Sequence, residues 1–118
     1  MATVLIVDDH ETFRSFAKDL LQSDGFEVVA EAEDGASGIE LATQLRPDLV
    51  LLDVQLPDLT GFEVAQRLTA AGVRTIVLIS SRDAASYGDQ IESSGAVGFV
   101  PKAELSGDAV RALLDGTG

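Results

Sequence analysis

The sequence predicts an α/β fold, a doubly wound parallel sheet of five strands interleaved with five helices. Three observations carry this. Short apolar runs recur along the chain, and their apolarity is continuous rather than alternating, as in strands covered on both faces. The segments between them repeat apolar residues at helical intervals. Strand and helix repeated with short connections is the pattern of a doubly wound sheet, whose crossovers are right-handed.

The first strand is read at Val4 to Val7. Phe13, Phe16, Ala17, Leu20 and Leu21 then follow the spacing i, i+3, i+4, i+7, i+8, which predicts a helix with that stripe against the core and Gly25 as its C-terminal stop. Val28 to Ala32 is a more polar strand, suited to a sheet edge. Leu49 to Leu52 is the most apolar strand, and Phe62, Ala65 and Leu68 mark the helix after it. Ile76 to Ile79 forms the fourth strand. The segment from Ala84 to Ser94 offers only Tyr87 and Ile91 as large apolar anchors among several serines, which predicts a weakly held helix. Val97 to Val100 is the fifth strand, and Ala109, Val110, Leu113 and Leu114 stripe the last helix.

At 118 residues the chain is expected to form a single domain, 1–118, with 46% hydrophobic residues and 3 prolines typical of a compact core. Twenty acidic against eight basic residues give a formal charge of −12, which opposes direct nucleic-acid binding. With no cysteine, disulfides, thiolate metal sites and thiol catalysis are excluded. The N-terminus lacks a basic segment followed by a long apolar run, and no run approaches the roughly 18 residues of a membrane span, so a cytoplasmic protein without membrane partners is expected.

The residues with chemistry stand at the carboxyl ends of strands: Asp8 and Asp9 after the first, Asp53 after the third, Ser80 and Ser81 after the fourth, and Lys102 after the fifth. Ligands of open α/β sheets bind outside those ends where strand order reverses, which for the order 2-1-3-4-5 lies between strands one and three. The three aspartates then converge. Carboxylates so close repel one another unless a cation joins them, and oxygen ligands alone favour a hard ion such as Mg²⁺. A carboxylate beside such an ion can attack phosphorus, and Asp53 is the candidate nucleophile, with Lys102 supplying positive charge for phosphoryl oxygens.

These residues carry a family resemblance. Ile6-Val7-Asp8-Asp9-His10, Leu51-Leu52-Asp53-Val54-Gln55-Leu56-Pro57 with Gly61, Ile79-Ser80 and Gly98-Phe99-Val100-Pro101-Lys102 resemble the receiver domains of two-component response regulators, nearly end to end. The resemblance implies a flavodoxin-like sheet in the order 2-1-3-4-5. It implies that a histidine kinase, phosphotransfer protein or small phosphodonor phosphorylates Asp53, and that Asp9, Asp53 and the Gln55 backbone carbonyl ligate Mg²⁺ while Asp8 assists. Ser80 would move to the phosphoryl group, Lys102 would pair with it, and Phe99 would be the switch aromatic. The altered surface, helix four with strand five and helix five, would control a downstream protein or a homodimer. A phospho-accepting signalling domain rather than an enzyme is expected, one able to take phosphate from small donors and to lose it. The expected form is a stand-alone, chemotaxis-regulator-like receiver, since Asp115 to Gly118 are too few for an output domain.

The chain departs from the family at Lys102, which is preceded by Pro101 and followed by Ala103 where the family usually has proline. Other uses of these residues are ordinary: Ser81 suits a helix cap, and His10 fits an exposed bystander. The alternative function is a pseudo-receiver that docks partners without phosphorylation. An aspartyl phosphotransferase of the haloacid-dehalogenase kind would carry a second Asp where Gln55 stands, and a nucleotide-binding flavodoxin would need a glycine-rich loop after strand one.

Overall fold

The computed structural model describes residues 1–115, and the tail residues 116–118 lie outside them. Five parallel strands form one sheet in the order β2-β1-β3-β4-β5. The strands are β1 (Thr3–Val7), β2 (Glu27–Ala32), β3 (Leu49–Asp53), β4 (Ile76–Ser80) and β5 (Gly98–Pro101). The helices are α1 (Glu11–Ser23), α2 (Gly35–Leu45), α3 (Gly61–Ala70), α4 (Gln90–Ser93) and α5 (Gly107–Asp115), with 3₁₀ turns at Ala84–Ser86 and Lys102–Glu104. The order β2-β1-β3-β4-β5 and all-parallel pairing confirm the expected doubly wound fold.

The continuous apolarity of the inner strands has its explanation in two cores. Leu5, Val7, Val50, Leu52, Ile76 and Leu78 pack on one face of the sheet beneath Val64, Ala65 and Leu68 of α3. Val4, Ile6, Leu49, Leu51, Val77 and Ile79 pack on the other, beneath Ala17 and Leu21 of α1 and Val110 of α5. Successive side chains of a strand point to opposite faces, so a strand covered on both sides must be apolar at every position. Edge strand β2 alternates instead, with exposed Glu27, Val29 and Glu31, as its mixed sequence predicts.

Local chemistry sets the boundaries. Asp34 caps α2 by accepting from the Ser37 amide at 2.8 Å, and Thr60 and Glu63 form a reciprocal capping box on α3. Gly25 follows the C-cap of α1 at φ 92°, a conformation that the lack of a Cβ makes inexpensive. Two expectations need correction. Phe16 is 51% exposed, because only Ala17 and Leu21 of the α1 stripe sit squarely over the sheet. Ser81 caps nothing; Asp83 takes that role, accepting from the Ser86 amide at 3.2 Å. The weak helix between β4 and β5 shrinks to a 3₁₀ turn, Gly88 at φ 57° and the single turn of α4.

Candidate functional site

Register places the acids. Val7 of β1 pairs with Leu52 of β3, so the next residues in the chain, Asp8 just past β1 and Asp53 at the end of β3, come side by side at the sheet's carboxyl edge. Alternation then decides their direction: Asp8 follows Ile6, and Asp53 follows Leu51, on the α1/α5 face. Lys102, two residues past Val100 of that face, reaches the same point, its Nζ 2.8 Å from Asp8 Oδ2 and 3.3 Å from Asp53 Oδ2. The ammonium also lies 4.5 Å from the centroid of the Phe13 ring on α1. Asp8 is fully buried and Asp53 is 2% exposed, whereas Asp9 and His10 stand at the solvent rim.

The electrostatics follow from this crowding. Burial pushes the Asp53 carboxyl up from 3.8 to about 6 and the charge of Asp8 adds to the rise, while Lys102 and the Gln55 amide, 3.3 Å from Oδ1, hold it back. Burial disfavours the Lys102 ammonium, but hydrogen bonding and charge from Asp8 and the charge of Asp53 outweigh it and raise the group above 10.5. Asp8 Oδ1 accepts from the His10 amide at 2.8 Å, whereas the buried Oδ2 has its ion pair with Lys102 and no well-angled hydrogen bond. Arg14 donates to the Asp8 carbonyl at 2.6 Å and is braced by Glu31 at 3.2 Å, fixing the loop after β1.

Oxygen atoms of Asp8, Asp9 and Asp53 and a ring nitrogen of His10 all lie within 4.8 Å of one another. A buried carboxylate oxygen short of hydrogen bonds, beside two further carboxylates, fits a hard divalent cation such as Mg²⁺. The loop after β3 closes back on the strand end at Gly61, the first residue of α3, whose amide donates to the Val54 carbonyl at 2.6 Å. A Cβ there would collide with the Asp53 carbonyl oxygen, so this position requires glycine.

Ser80 stands apart from this cluster. It alternates onto the face of Ile76 and Leu78, and its hydroxyl bonds the Tyr87 hydroxyl at 2.6 Å and accepts from the Arg82 amide at 3.1 Å. The Tyr87 ring lies 5.4 Å from Phe62 and 5.8 Å from Phe99, linking α3 to β5.

The model of the response regulator receiver domain matches residues 4–114. The chain belongs to the response regulator receiver family. The nitrate/nitrite response regulator protein NarP of Escherichia coli is 39% identical to this receiver, over 97% of the chain and 55% of NarP. The transcriptional regulatory protein DegU of Brevibacillus brevis is 36% identical, over 91% of the chain and 46% of DegU. The receiver therefore spans about half the length of the curated relatives it matches. Among solved structures, the signal receiver domain of a Mycobacterium tuberculosis NarL response regulator superposes with a TM-score of 0.87 at 34% identity, covering 98% of this chain and 94% of that one. A LuxR-family two-component response regulator from Aurantimonas gives 0.88 at 30% identity, covering 98% and 86%.

Of the residues singled out in the sequence, the fold brings Asp8, Asp9, Asp53 and Lys102 together. Gln55 opens the adjoining loop with its amide on Asp53, and Phe99 is half-buried behind Tyr87. Two residues lie closer to this chemistry than the sequence reading, an exposed bystander for His10 and an apolar anchor for Tyr87, had them. His10 Nδ1 lies 3.2 Å from both Asp8 and Asp9, and Tyr87, read only as an apolar anchor, reaches Ser80 with its hydroxyl. No spacing rule flags either; a buried serine near the only tyrosine is the one available signal.

Proposed function

We propose that this receiver accepts a phosphoryl group on Asp53, with Asp8, Asp9, Asp53 and the Gln55 backbone carbonyl holding Mg²⁺. The carrying observation is the meeting of two buried carboxylates and Lys102 at one point, with Asp9 at its rim. With Asp53 at about 6, most of it is carboxylate at neutral pH and able to act as a nucleophile. An Asp53 oxygen attacks phosphorus in line; the bond from phosphorus to a kinase histidine nitrogen, or to the acyl oxygen of acetyl phosphate, breaks as the new P–O bond forms. The divalent ion, when bound, offsets charge on the transferring group. Lys102 then turns from its carboxylate partners toward a phosphoryl oxygen.

The phosphoryl group brings acceptor oxygens that draw the Ser80 hydroxyl, and Phe99 adjusts behind it. The same pocket can self-phosphorylate from small donors and hydrolyse the acyl phosphate. A histidine kinase or phosphotransfer protein is the donor partner, in the cytoplasm. No helix among the described residues is long and apolar enough to cross a membrane. The named relatives are regulators about twice this length, which supports a transcriptional output downstream, reached through the surface of α4, β5 and α5 by a partner or a second copy. With a net charge of −12, the receiver itself is not the nucleic-acid-binding part.

The test is intact mass after incubation with Mg²⁺ and acetyl phosphate, read quickly and cold. A phosphoryl adduct on the wild type that is missing from Asp53→Asn supports the proposal. An unmodified wild type, with several kinases tried and no Mg²⁺ binding, favours the phosphorylation-independent pseudo-receiver.

A further inference from the structure

A serine hydroxyl has one proton and two lone pairs. Both contacts of Ser80 Oγ lie on the α4 side: the Arg82 amide occupies one lone pair, and Tyr87 takes either the proton or the second lone pair. Asp53 lies on the other side of the sheet plane, with Leu51, Asp8 and Lys102. To reach a phosphoryl oxygen there, Ser80 must swing about χ1 to another staggered rotamer, and its oxygen leaves Tyr87.

Tyr87 also anchors the turn it belongs to. Residues 81–86 are all exposed, and Gly88 at φ 57° separates Tyr87 from the single turn of α4. The side-chain contacts that hold the turn to the body include the ring of Tyr87 between Phe62 and Phe99 and its hydroxyl on Ser80, beside the Arg82 amide on Ser80. We propose that Tyr87 is a positioning residue for Ser80: its hydroxyl holds Ser80 away from Asp53 in the unphosphorylated protein. Drawing Ser80 onto an aspartyl phosphate then releases Tyr87, and with it the turn from Ser81 to Gly88. This inference rests on the reading of Asp53 as the phospho-acceptor and adds the element that couples it to the α4 surface.

The composition supplies the probe. The chain has one tyrosine and no tryptophan, so its tyrosine emission reports Tyr87 alone. Mg²⁺ with beryllofluoride, a stable mimic of an aspartyl phosphate, is titrated into the full chain while ¹⁹F NMR follows binding of the mimic at Asp53. Tyrosine emission should change with the same midpoint as the ¹⁹F signal. Tyr87→Phe, which keeps the ring and removes the hydroxyl, should bind the mimic about fivefold more tightly, since the hydrogen bond opposing it is gone. A purely structural loss would leave affinity unchanged or weaken it, and either result overturns the inference. A bound mimic with unaltered tyrosine emission also overturns it while leaving the phospho-acceptor reading intact. No ¹⁹F signal that Asp53→Asn abolishes would overturn both.

Discussion

The two faces of the sheet meet at the same carboxyl edge and treat polar groups in opposite ways. On the α1/α5 face, Asp8 and Asp53 are buried as charges and share one ammonium, so the arrangement is costly and tightly determined. On the α4 face, Ser80 and Tyr87 are neutral hydroxyls joined by a single hydrogen bond, at the root of an exposed turn. A charge cluster resists rearrangement until a new charge arrives, whereas one neutral hydrogen bond is exchanged for another at small cost. In the proposed function the chemistry belongs to the first face and the response to the second, which the chain supports with a four-residue helix.

Removing the shared cation should have the largest effect. Lys102→Met leaves Asp8 and Asp53 facing each other and should cost about 2–4 kcal/mol in urea unfolding at neutral pH, with added Mg²⁺ recovering part of it. A loss below about 0.5 kcal/mol would mean that solvent already screens the pair.

Removing one of the acids should act in the opposite direction. Asp53→Asn should stabilise the fold by about 1–2 kcal/mol at pH 7, less than the full rise of its carboxyl would represent. The sign follows from proton linkage. Because Asp53 rises from 3.8 to about 6, the folded state still holds a proton that the unfolded chain has released between those values. Its contribution to stability therefore falls as pH climbs through that window and is fully lost above it. Unfolding curves from pH 3.5 to 7 should show this fall in the wild type and a shallower one in Asp53→Asn.

On the α4 face the expected effects are smaller. Ser80→Ala should cost no more than about 1 kcal/mol, the worth of one hydrogen bond, while leaving phosphorylation intact. It should blunt the amide-shift changes across α4 and β5 when the protein is phosphorylated. The smallest effect is expected away from both faces. Asp58 accepts from the amides of Gly35 at 2.8 Å and Ala36 at 3.0 Å, and these bonds hold its carboxyl below 3.8. Its contribution is present above pH 3.8 and lost as pH falls through the lower folded value, so Asp58→Asn should weaken the fold slightly at pH 7 and by progressively less as pH falls below 3.8.

The sheet was legible because both faces are covered, which forces apolar residues from Val4 to Val7 of β1, Leu49 to Leu52 of β3 and Ile76 to Ile79 of β4. Strand ends were not, since Asp53 and Ser80 are polar yet still pair with Ile79 and Pro101. The acidic cluster could be read from position along the strands, because parallel register carries carboxyl ends to one place. Tyr87 and Asp58 could not. A hydroxyl seven residues from Ser80 across an irregular loop and a 3₁₀ turn, and a carboxylate accepting from helix amides 22 and 23 residues away, follow no local period. Phe16 failed for a related reason: periodicity gives a stripe, and the sheet's width decides how much of it is covered.

The most direct test of the division between faces is a backbone ¹⁵N amide-shift map of the protein with and without Mg²⁺ and beryllofluoride. Beyond the residues lining the Asp53 pocket, the account predicts that the shifts run through Ser80 to Gln90 and on to Phe99, and spare Gly35 to Leu45 of α2. Shifts confined to the pocket and α1, with Ser81 to Gln90 unmoved, would contradict it.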